Sequence, residues 1–241
     1  MKIKRLLFLA FLLFGVLMIA SCSKKEEKPN SYKNEELESE LVDYYSFGYN
    51  SNGYYIKEVK ENKKEEASLT VPEGVYCIKA SAFSNCKIES LVLPSTVTRI
   101  EDRAFYYCRN LVSITLPEGL KYLGVSAFEY CDKLQNVNVP SNIKNISNET
   151  FVYCGDLDEI TIPEGIETIG VAAFRCSSLD NINFPKSIKK IDQYAFYNTA
   201  IQVISYSGTI AEWQEVDVHD EAFTQATTRK VVCTDGNTTV R

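Results

Sequence analysis

The sequence is poor in histidine, with His219 as the only example among 241 residues. Histidine carries much of the acid–base catalysis near neutral pH and is the commonest metal ligand, so its scarcity argues against most hydrolase and metalloenzyme mechanisms. The residues around it include Asp217, Asp220 and Glu221. One histidine among unspaced acids supplies neither a nucleophile nor a third oriented ligand. The GxSxG, HExxH, Walker-type and GxGxxG motifs are also absent, so we expect no catalytic, cofactor-binding or metal-binding residues and a protein that is not an enzyme.

An excess of basic charge is missing as well, because 26 lysines and arginines face 32 acids and give a formal net charge of −6. Such a chain lacks the positive surface that neutralises phosphates, so nucleic acid is not expected as a partner. Apolar residues form 45% of the chain and charged residues 24%, an ordinary globular balance. The length suits one or two domains with a sizeable core.

A hydrophobic run long enough to span a bilayer is absent, because the longest run, residues 6–20, falls short of the roughly 20 residues a spanning helix needs. A basic start followed by a short apolar run and small residues is typical of a secretory signal, here residues 1–21. The run ends in Ile-Ala-Ser-Cys at residues 19–22, which resembles the lipobox of bacterial lipoproteins. That resemblance implies cleavage before Cys22 and a membrane anchor through acyl chains on Cys22. The alternative is a plain signal peptide followed by a chance cysteine.

The segment after Cys22 is polar and has no apolar period, so residues 22–43 are expected to be the acylated cysteine and a flexible tether. The tripeptide Lys-Glu-Glu at residues 25–27 resembles the export signal of Bacteroidetes-type lipoproteins. This resemblance implies a position on the bacterial outer membrane, facing the cell surface. A lipid anchor that faces the periplasm is the alternative.

Two residue types recur along the rest of the chain with a spacing of 22 or 23 residues. The phenylalanines are Phe83, Phe105, Phe128, Phe151, Phe174 and Phe196. The prolines are Pro72, Pro94, Pro117, Pro140, Pro163 and Pro185. The common pattern is LxxIxLPxxLxxIxxxAFxxC. Units this short cannot bury their own apolar face, so they must stack and share one continuous core.

The third unit, residues 111–133, illustrates how each coil is expected to fold. Ile114 and Leu116 alternate with polar Ser113 and Thr115, which predicts a short strand with the apolar side chains inward. Pro117 cannot donate a ladder hydrogen bond, so the column of prolines predicts a corner at which strand pairing stops. Leu120, Leu123, Ala127 and Phe128 are expected to return to the interior. The fold class is therefore mainly β, a solenoid of about six coils with short parallel strands.

The pattern resembles the BspA-like subclass of leucine-rich repeats over residues 67–206. The sixth unit departs from it, because Thr199 stands where the pattern has cysteine. The resemblance implies a leucine-rich-repeat solenoid in a surface lipoprotein that binds host matrix proteins or other cells.

Segments on either side of the repeats are expected to cap the solenoid. Asn52-Gly53 between two aromatic-rich runs predicts a hairpin, so residues 44–66 form the N-terminal cap. Residues 207–241 are expected to form the C-terminal cap, where Thr209 and Glu212 are spaced as a capping box ahead of Trp213. A final strand and turn follow at Lys230–Cys233 and Asp235-Gly236.

The cysteines of the repeats are expected to be buried thiols rather than a disulfide framework. Cys86, Cys108, Cys131, Cys154 and Cys176 are assigned to one column, and stacked neighbours with parallel Cβ directions are poorly placed for a disulfide. Cys77 and Cys233 lie outside that column and are expected to be free thiols of undetermined role.

Two columns of outward side chains are candidates for partner binding. The strand face offers Thr115, Asn138 and Thr161, and the turn before each cysteine offers Tyr107, Tyr130 and Tyr153. Tyrosines suit protein contacts and stacking on sugars. Each column also has a structural interpretation. The strand-face residues would form a polar ladder, and the tyrosine rings would fill a turn.

Three functions remain open at this point. The first is a non-catalytic adhesion protein with a protein ligand on an extended solenoid face. The second is an envelope accessory lipoprotein that captures a glycan or another nutrient, and the third is a structural scaffold. We expect the chain to be a monomer.

Overall fold

The structure is a computed structural model that describes residues 34–226 and 229–240. The expected signal peptide, the acylated Cys22 and the first part of the tether lie outside the described residues. The described chain is mainly β, with parallel strands stacked into a solenoid of about seven turns. Within this part of the chain, no helix is long and apolar enough to cross a membrane.

The regular elements are short. The helices are α1 (Glu35–Tyr44), α2 (Ile210–Gln214) and a 3-10 turn at Glu61–Lys63. The strands of the first half are β1 (Tyr45–Asn50), β2 (Gly53–Val59), β3 (Ser68–Thr70), β4 (Val75–Ile78), β5 (Ser90–Val92), β6 (Arg99–Ile100), β7 (Ser113–Ile114), β8 (Tyr122–Leu123) and β9 (Asn136–Val137). Those of the second half are β10 (Asn145–Ile146), β11 (Thr168–Ile169), β12 (Asn181–Phe184), β13 (Lys190–Ile191), β14 (Val203–Tyr206), β15 (Asp217–Val218), β16 (Lys230–Cys233) and β17 (Gly236–Thr239).

Each coil has three sides. The first strand face contains the strands before the prolines, in the sheets β3-β5-β7-β9 and β12-β14-β16-β17. The corner after each strand is a turn in which the proline carbonyl accepts a hydrogen bond from the amide three residues later, as from Leu120 to Pro117 at 2.9 Å. The second strand face follows, in the sheets β1-β2-β4-β6-β8 and β10-β11-β13-β15. The sequence analysis did not predict this second strand, since two residues are too short a stretch for a visible alternation.

The third side, called the turn face here, is held by backbone bonds although it contains no strand. In coil 3, Ser126 and Tyr130 adopt positive φ values of 54° and 60°, and the equivalent positions of the neighbouring coils do the same. Three amides of this turn donate to carbonyls of coil 4. These bonds are Ser126 N to Asn148 O at 3.0 Å, Phe128 N to Thr150 O at 2.9 Å and Tyr130 N to Val152 O at 2.9 Å. The left-handed residues thus allow a tight turn to form a ladder of its own.

The repeated phenylalanines form a continuous buried column behind the turn face. Their ring centroids lie 5.2 Å apart for Phe83–Phe105, 5.0 Å for Phe105–Phe128, 5.6 Å for Phe128–Phe151, 5.3 Å for Phe151–Phe174 and 5.3 Å for Phe174–Phe196. From Phe105 onward the rings are parallel to within 11°. All the side chains expected to point inward in coil 3, from Ile114 to Phe128, are buried. The inward assignment is therefore confirmed.

A seventh coil extends the expected six. Phe223 stacks on Phe196 with a centroid distance of 4.9 Å, β14 pairs with β12, and β15 pairs with β13. Phe223 follows Phe196 by 27 residues rather than 22 or 23, so the repeat interval alone predicts that residues 207–241 belong wholly to a cap. The extra residues include α2, which the predicted capping box between Thr209 and Glu212 opens. Trp213 of this helix is buried, with its ring 5.3 Å from that of Tyr206.

The ends of the solenoid are covered by two hairpins, of which the N-terminal one was predicted as a hairpin and the C-terminal one as a strand and turn. At the N-terminal end β1 and β2 pair antiparallel around residues 51–52, and β2 continues in parallel onto β4. At the C-terminal end β16 pairs in parallel with β14 and turns back as β17.

One part of the expected tether is instead helical, because α1 occupies residues 35–44. Leu37 and Leu41, one turn apart, are both buried. The side-chain oxygen of Asn34 accepts hydrogen bonds from the amides of Glu36 and Leu37 at 3.1 and 3.2 Å and so caps the helix. Two apolar residues in an acidic stretch are too few to reveal a helix by periodicity, and it is the burial of Leu37 and Leu41 that stabilises this one.

The phenylalanine column makes a direct stability prediction. We expect Phe128→Ala to lower the free energy of unfolding by about 3–5 kcal/mol, because it leaves a ring-sized cavity between two stacked neighbours. Denaturant unfolding followed by circular dichroism measures this effect, with exposed Thr115→Ala as the control that should change stability by less than about 0.5 kcal/mol. Equal unfolding midpoints for Phe128→Ala and the parent chain would contradict the stacked column.

Candidate interaction surfaces

The first strand face contains a shallow depression of about 530 Å³ across coils 3 to 5. Thr115, Asn138 and Thr161, the three strand-face residues proposed from the sequence, all line it. The other lining residues are Ser113, Ile114, Asn136, Val137, Val139, Glu159 and Ile160. The structure therefore brings this predicted set together on one exposed surface.

The three predicted residues are not equivalent. The amide nitrogen Nδ2 of Asn138 donates to the carbonyl of Leu116 at 2.9 Å, and its Oδ1 accepts from the Leu116 amide at 2.7 Å. Asn138 thus extends the link between coils 3 and 4 beyond the last paired residues of β7 and β9. The hydroxyls of Thr115 and Thr161 have no hydrogen-bond partner among the described residues, so they are free to contact a ligand.

The depression coincides with an interruption of the first strand face, called the coil-5 gap here and formed by residues 158–162. The sheet of β9 ends at coil 4 and the sheet of β12 starts at coil 6, so coil 5 has no strand on this face. The Asp180 amide donates to the Asp158 carbonyl at 3.4 Å, which is the single backbone bond from a neighbouring coil to this segment within the described chain.

A second depression of about 540 Å³ adjoins the first and shares Asn136 with it. Its other lining residues are Gln135, Gly155, Asp156, Asp158 and Ser178. The sequence analysis did not identify these residues, because their grouping depends on the coil-5 gap rather than on the repeat pattern. Together the two depressions form a polar, partly acidic surface.

The second strand face is interrupted one coil earlier, between β8 and β10. Side chains replace the missing ladder, since the Ser147 hydroxyl donates to the Leu123 carbonyl and the Asn142 amide donates to the Glu118 carbonyl. The turn face continues without a break through these coils. Coil 4 is therefore held to coil 3 by its turn face, by the pairing of β7 with β9 on the first strand face, and by these side-chain bonds on the second.

The tyrosine ladder, defined as Tyr107, Tyr130 and Tyr153, forms a second exposed feature at the turn face. The Tyr107 and Tyr130 ring centroids lie 4.4 Å apart, and those of Tyr130 and Tyr153 lie 4.7 Å apart with the planes within 11°. The guanidinium of Arg109, which the sequence analysis did not single out, lies 4.6 Å from the Tyr107 centroid. The predicted tyrosine column thus exists as a row of contacting rings, each on a left-handed residue, in which Tyr130 and Tyr153 are stacked and Tyr107 is tilted by 40° to Tyr130.

The cysteine column holds four of the five cysteines assigned to it. Cys86, Cys108, Cys131 and Cys154 each follow their phenylalanine by three residues, whereas Cys176 follows Phe174 by two. Coil 5 is shortened after its phenylalanine, so Cys176 occupies the tyrosine position with a φ of 57°. Ser177 takes the cysteine position and donates to the carbonyl of Phe174 at 2.8 Å. The assignment of Cys176 to the thiol column was therefore wrong.

The buried thiols donate hydrogen bonds rather than forming disulfides. Each of three thiols donates to the phenylalanine carbonyl of the preceding coil. These bonds are Cys108 Sγ to Phe83 O at 3.0 Å, Cys131 Sγ to Phe105 O at 3.3 Å and Cys154 Sγ to Phe128 O at 3.3 Å. All seven cysteines of the described chain are free, including Cys77 and Cys233, as expected. Burial raises the pKa of Cys86 to about 12 and that of Cys77 to about 11, which keeps these thiols protonated and unreactive.

The surroundings of His219 are those of a surface turn. The side chain is exposed, and its Nδ1 accepts a hydrogen bond from the amide of Glu221 at 3.1 Å. In the part of the chain that the structure describes, no group of three or more histidine, cysteine, aspartate or glutamate residues is arranged to hold a metal ion.

A family model for the BspA-type leucine-rich repeat region matches residues 76–202 in six copies. None of the curated proteins matches the chain. The match to the family model includes the tyrosine ladder and the coil-5 gap, so both candidate surfaces lie within the repeats.

Several solved structures share the fold. A leucine-rich cell surface protein from Faecalibacterium prausnitzii is 26% identical with a TM-score of 0.66, and the alignment covers 90% of this chain and 56% of that one. A leucine-rich repeat protein from Eubacterium ventriosum is 22% identical with a TM-score of 0.64, covering 80% and 54%. A leucine-rich repeat protein of T. pallidum is 25% identical with a TM-score of 0.50, covering 69% of each chain. The chain spans about half the length of the first two structures.

The coil-5 gap is expected to show in amide hydrogen exchange. The amides of Ile160, Thr161 and Ile162 have no hydrogen-bond partner among the described residues, so they should exchange at least about tenfold faster than the paired amides of β5 and β7. Exchange followed by NMR resolves the individual sites. The turn-face amides of Phe151 and Tyr153 serve as controls that should remain protected, because they donate to the next coil at 2.8 and 3.0 Å. Equal protection of all these amides would contradict the absence of strand pairing at the coil-5 gap.

Proposed function

The chain belongs to the BspA-type leucine-rich repeat family, and we propose that it is a non-enzymatic cell-surface lipoprotein whose solenoid mediates adhesion by binding a protein. Fold alone does not fix function, so the proposal rests on surfaces specific to this chain. The observation that carries it is the depression over coils 3 to 5, which has a mixed polar and apolar lining and where exposed threonine hydroxyls lie beside a backbone segment without strand pairing. The proposed ligand is a host matrix protein or the surface of another cell.

The proposed position on the cell follows from the N-terminal sequence. Cys22 would carry the acyl chains, and several chains at about 0.8 kcal/mol per buried CH₂ hold a domain firmly on a bilayer. Residues 23–33 would link the anchor to the folded chain. A surface location is supported by the structural similarity to a protein described as a leucine-rich cell surface protein. An anchor that faces the periplasm is the alternative. We propose a monomer in either location.

The second candidate function is the capture of a glycan by an envelope accessory lipoprotein. The observation in its favour is the depression that contains Gln135, Asp156 and Asp158, because amide and carboxylate groups are suitable partners for sugar hydroxyls. A structural scaffold is the third candidate, and no particular surface supports it.

The proposal is tested by the adhesion of intact bacterial cells to immobilised matrix protein. Cells with the wild-type chain should adhere, and protease treatment of intact cells or Cys22→Ala should abolish adhesion. Thr115→Lys with Thr161→Lys should reduce binding on the order of tenfold, because both side chains lie in the depression. Asn145→Lys on the opposite strand face is the matched control and should leave adhesion unchanged.

Two results would contradict the adhesion proposal. Protection of the chain from protease in intact but not in permeabilised cells would place it inside the envelope. Loss of adhesion on addition of free oligosaccharide, with direct binding of that oligosaccharide, would favour glycan capture.

A further inference from the structure

The tyrosine ladder has two different ends. At the N-terminal end the outer ring, Tyr107, contacts the guanidinium of Arg109 at 4.6 Å from its centroid and the ring of Tyr106 at 4.6 Å. The same two groups lie 5.8 and 6.0 Å from the Tyr130 centroid, so a cation and a second ring cover the N-terminal part of the ladder. At the C-terminal end the outer ring is Tyr153. Tyr130 is its sole ring contact among the described residues, and Tyr153 keeps 37% of its surface exposed.

The open end arises because a small residue occupies the next position of the column. Cys176 holds the next position of the column and has a φ of 57°, the same value as Tyr153. The backbone bonds continue through both residues, because Tyr153 N donates to Arg175 O at 3.0 Å and Cys176 N donates to Tyr197 O at 2.9 Å. Because the coils keep their spacing, the small cysteine side chain does not fill the volume that a tyrosine ring would occupy at this position.

The resulting space, called the open rung here, is bounded by the ring of Tyr153, the thiol of Cys176 and the amide of Asn198. Asn198 stands at the same position one coil further on, and its Nδ2 lies 3.5 Å from Cys176 Sγ. Neighbouring rings of the ladder are 4.4 and 4.7 Å apart. A ring placed beside Tyr153 at that distance would stand above Cys176, in line with the three tyrosines.

We propose that the open rung binds an aromatic side chain from a protein partner, which completes the stack as its fourth ring. The inference rests on the proposed protein-binding function and names the chemistry of one contact in it. A flat ring matches the thickness of the space, and aromatic pairs are among the strongest anchors of protein interfaces. A sugar fits less well, because the Asn198 amide already contacts the Cys176 thiol.

Cys176 itself provides the chemical test. Six of the seven cysteines in the described chain are buried, whereas Cys176 is partly exposed at the floor of the open rung. In the Cys22→Ala chain, thiol–disulfide exchange with small mixed disulfides should therefore attach a probe at Cys176. Three probes of equal linker length would carry a phenyl, a cyclohexyl or a glucosyl group.

The phenyl probe should be retained about threefold to tenfold more than the cyclohexyl probe under competition with free thiol, as expected for one added aromatic contact. Tyr153→Ala should remove this preference, and Tyr107→Ala at the covered end should keep it. Equal retention of phenyl and cyclohexyl probes, or preferential retention of the glucosyl probe, would overturn the proposal.

A second variant connects the open rung to adhesion. Cys176→Tyr should fold normally, since tyrosine already occupies the same left-handed position at residues 107, 130 and 153. By filling the open rung it should reduce adhesion to matrix protein at least about tenfold. Asn85→Tyr, which adds a ring at the same left-handed position before Tyr107 and leaves the open rung unchanged, is the matched control and should adhere like the wild type.

The outcomes separate the two proposals. If wild-type and Cys176→Tyr cells adhere equally, the open rung is not the contact and the proposed adhesion stands. If wild-type cells do not adhere at all, the proposed function fails, and the retention of the phenyl probe still decides whether the open rung accepts an aromatic ring.

Discussion

The stacking of one coil on the next is the interaction on which the rest of this structure depends. A unit of 22 or 23 residues has no core of its own, and it becomes stable when its phenylalanine packs between the rings of two neighbours. The turn face adds amide-to-carbonyl bonds from each coil to the next, made possible by two left-handed residues in each turn. This side of the solenoid is continuous from Phe83 to Phe223, whereas both strand faces are interrupted near coil 4.

The different roles of the turn face and the strand faces explain where binding surfaces arise. Because the phenylalanine column and the turn face continue through these coils, the first strand face can lose its ladder at coil 5, and the second between coils 3 and 4, without loss of the fold. The two depressions and the open rung all lie on coils 3 to 6. The interruption on the first strand face and the open rung both belong to coil 5, which is a residue short after its phenylalanine. Coil 5 therefore contributes to both candidate surfaces.

The columns of the solenoid were predictable from the sequence because each column repeats one residue type at a fixed interval. Phe128, Pro117 and Leu123 occupy the expected inner and corner positions. Features that depend on contacts between elements were not predictable. The helix α1 depends on the burial of Leu37 and Leu41, and the second strand of each coil is only as long as its pairing partner allows. Phe223 was missed since α2 lengthens the interval before it. Cys176 was assigned to the wrong column because the sequence of a shortened turn does not show whether the missing residue lies before or after the cysteine.

The most direct test of coil stacking as the organising interaction is the removal of one whole unit. Deletion of residues 111–133 should bring Phe105 beside Phe151 and leave a shorter solenoid that unfolds cooperatively with its β spectrum preserved. A deletion of residues 111–121, about half a unit, breaks every column and should not fold. Loss of folding in the whole-unit deletion, or equal stability of the two shortened chains in circular dichroism, would contradict the account.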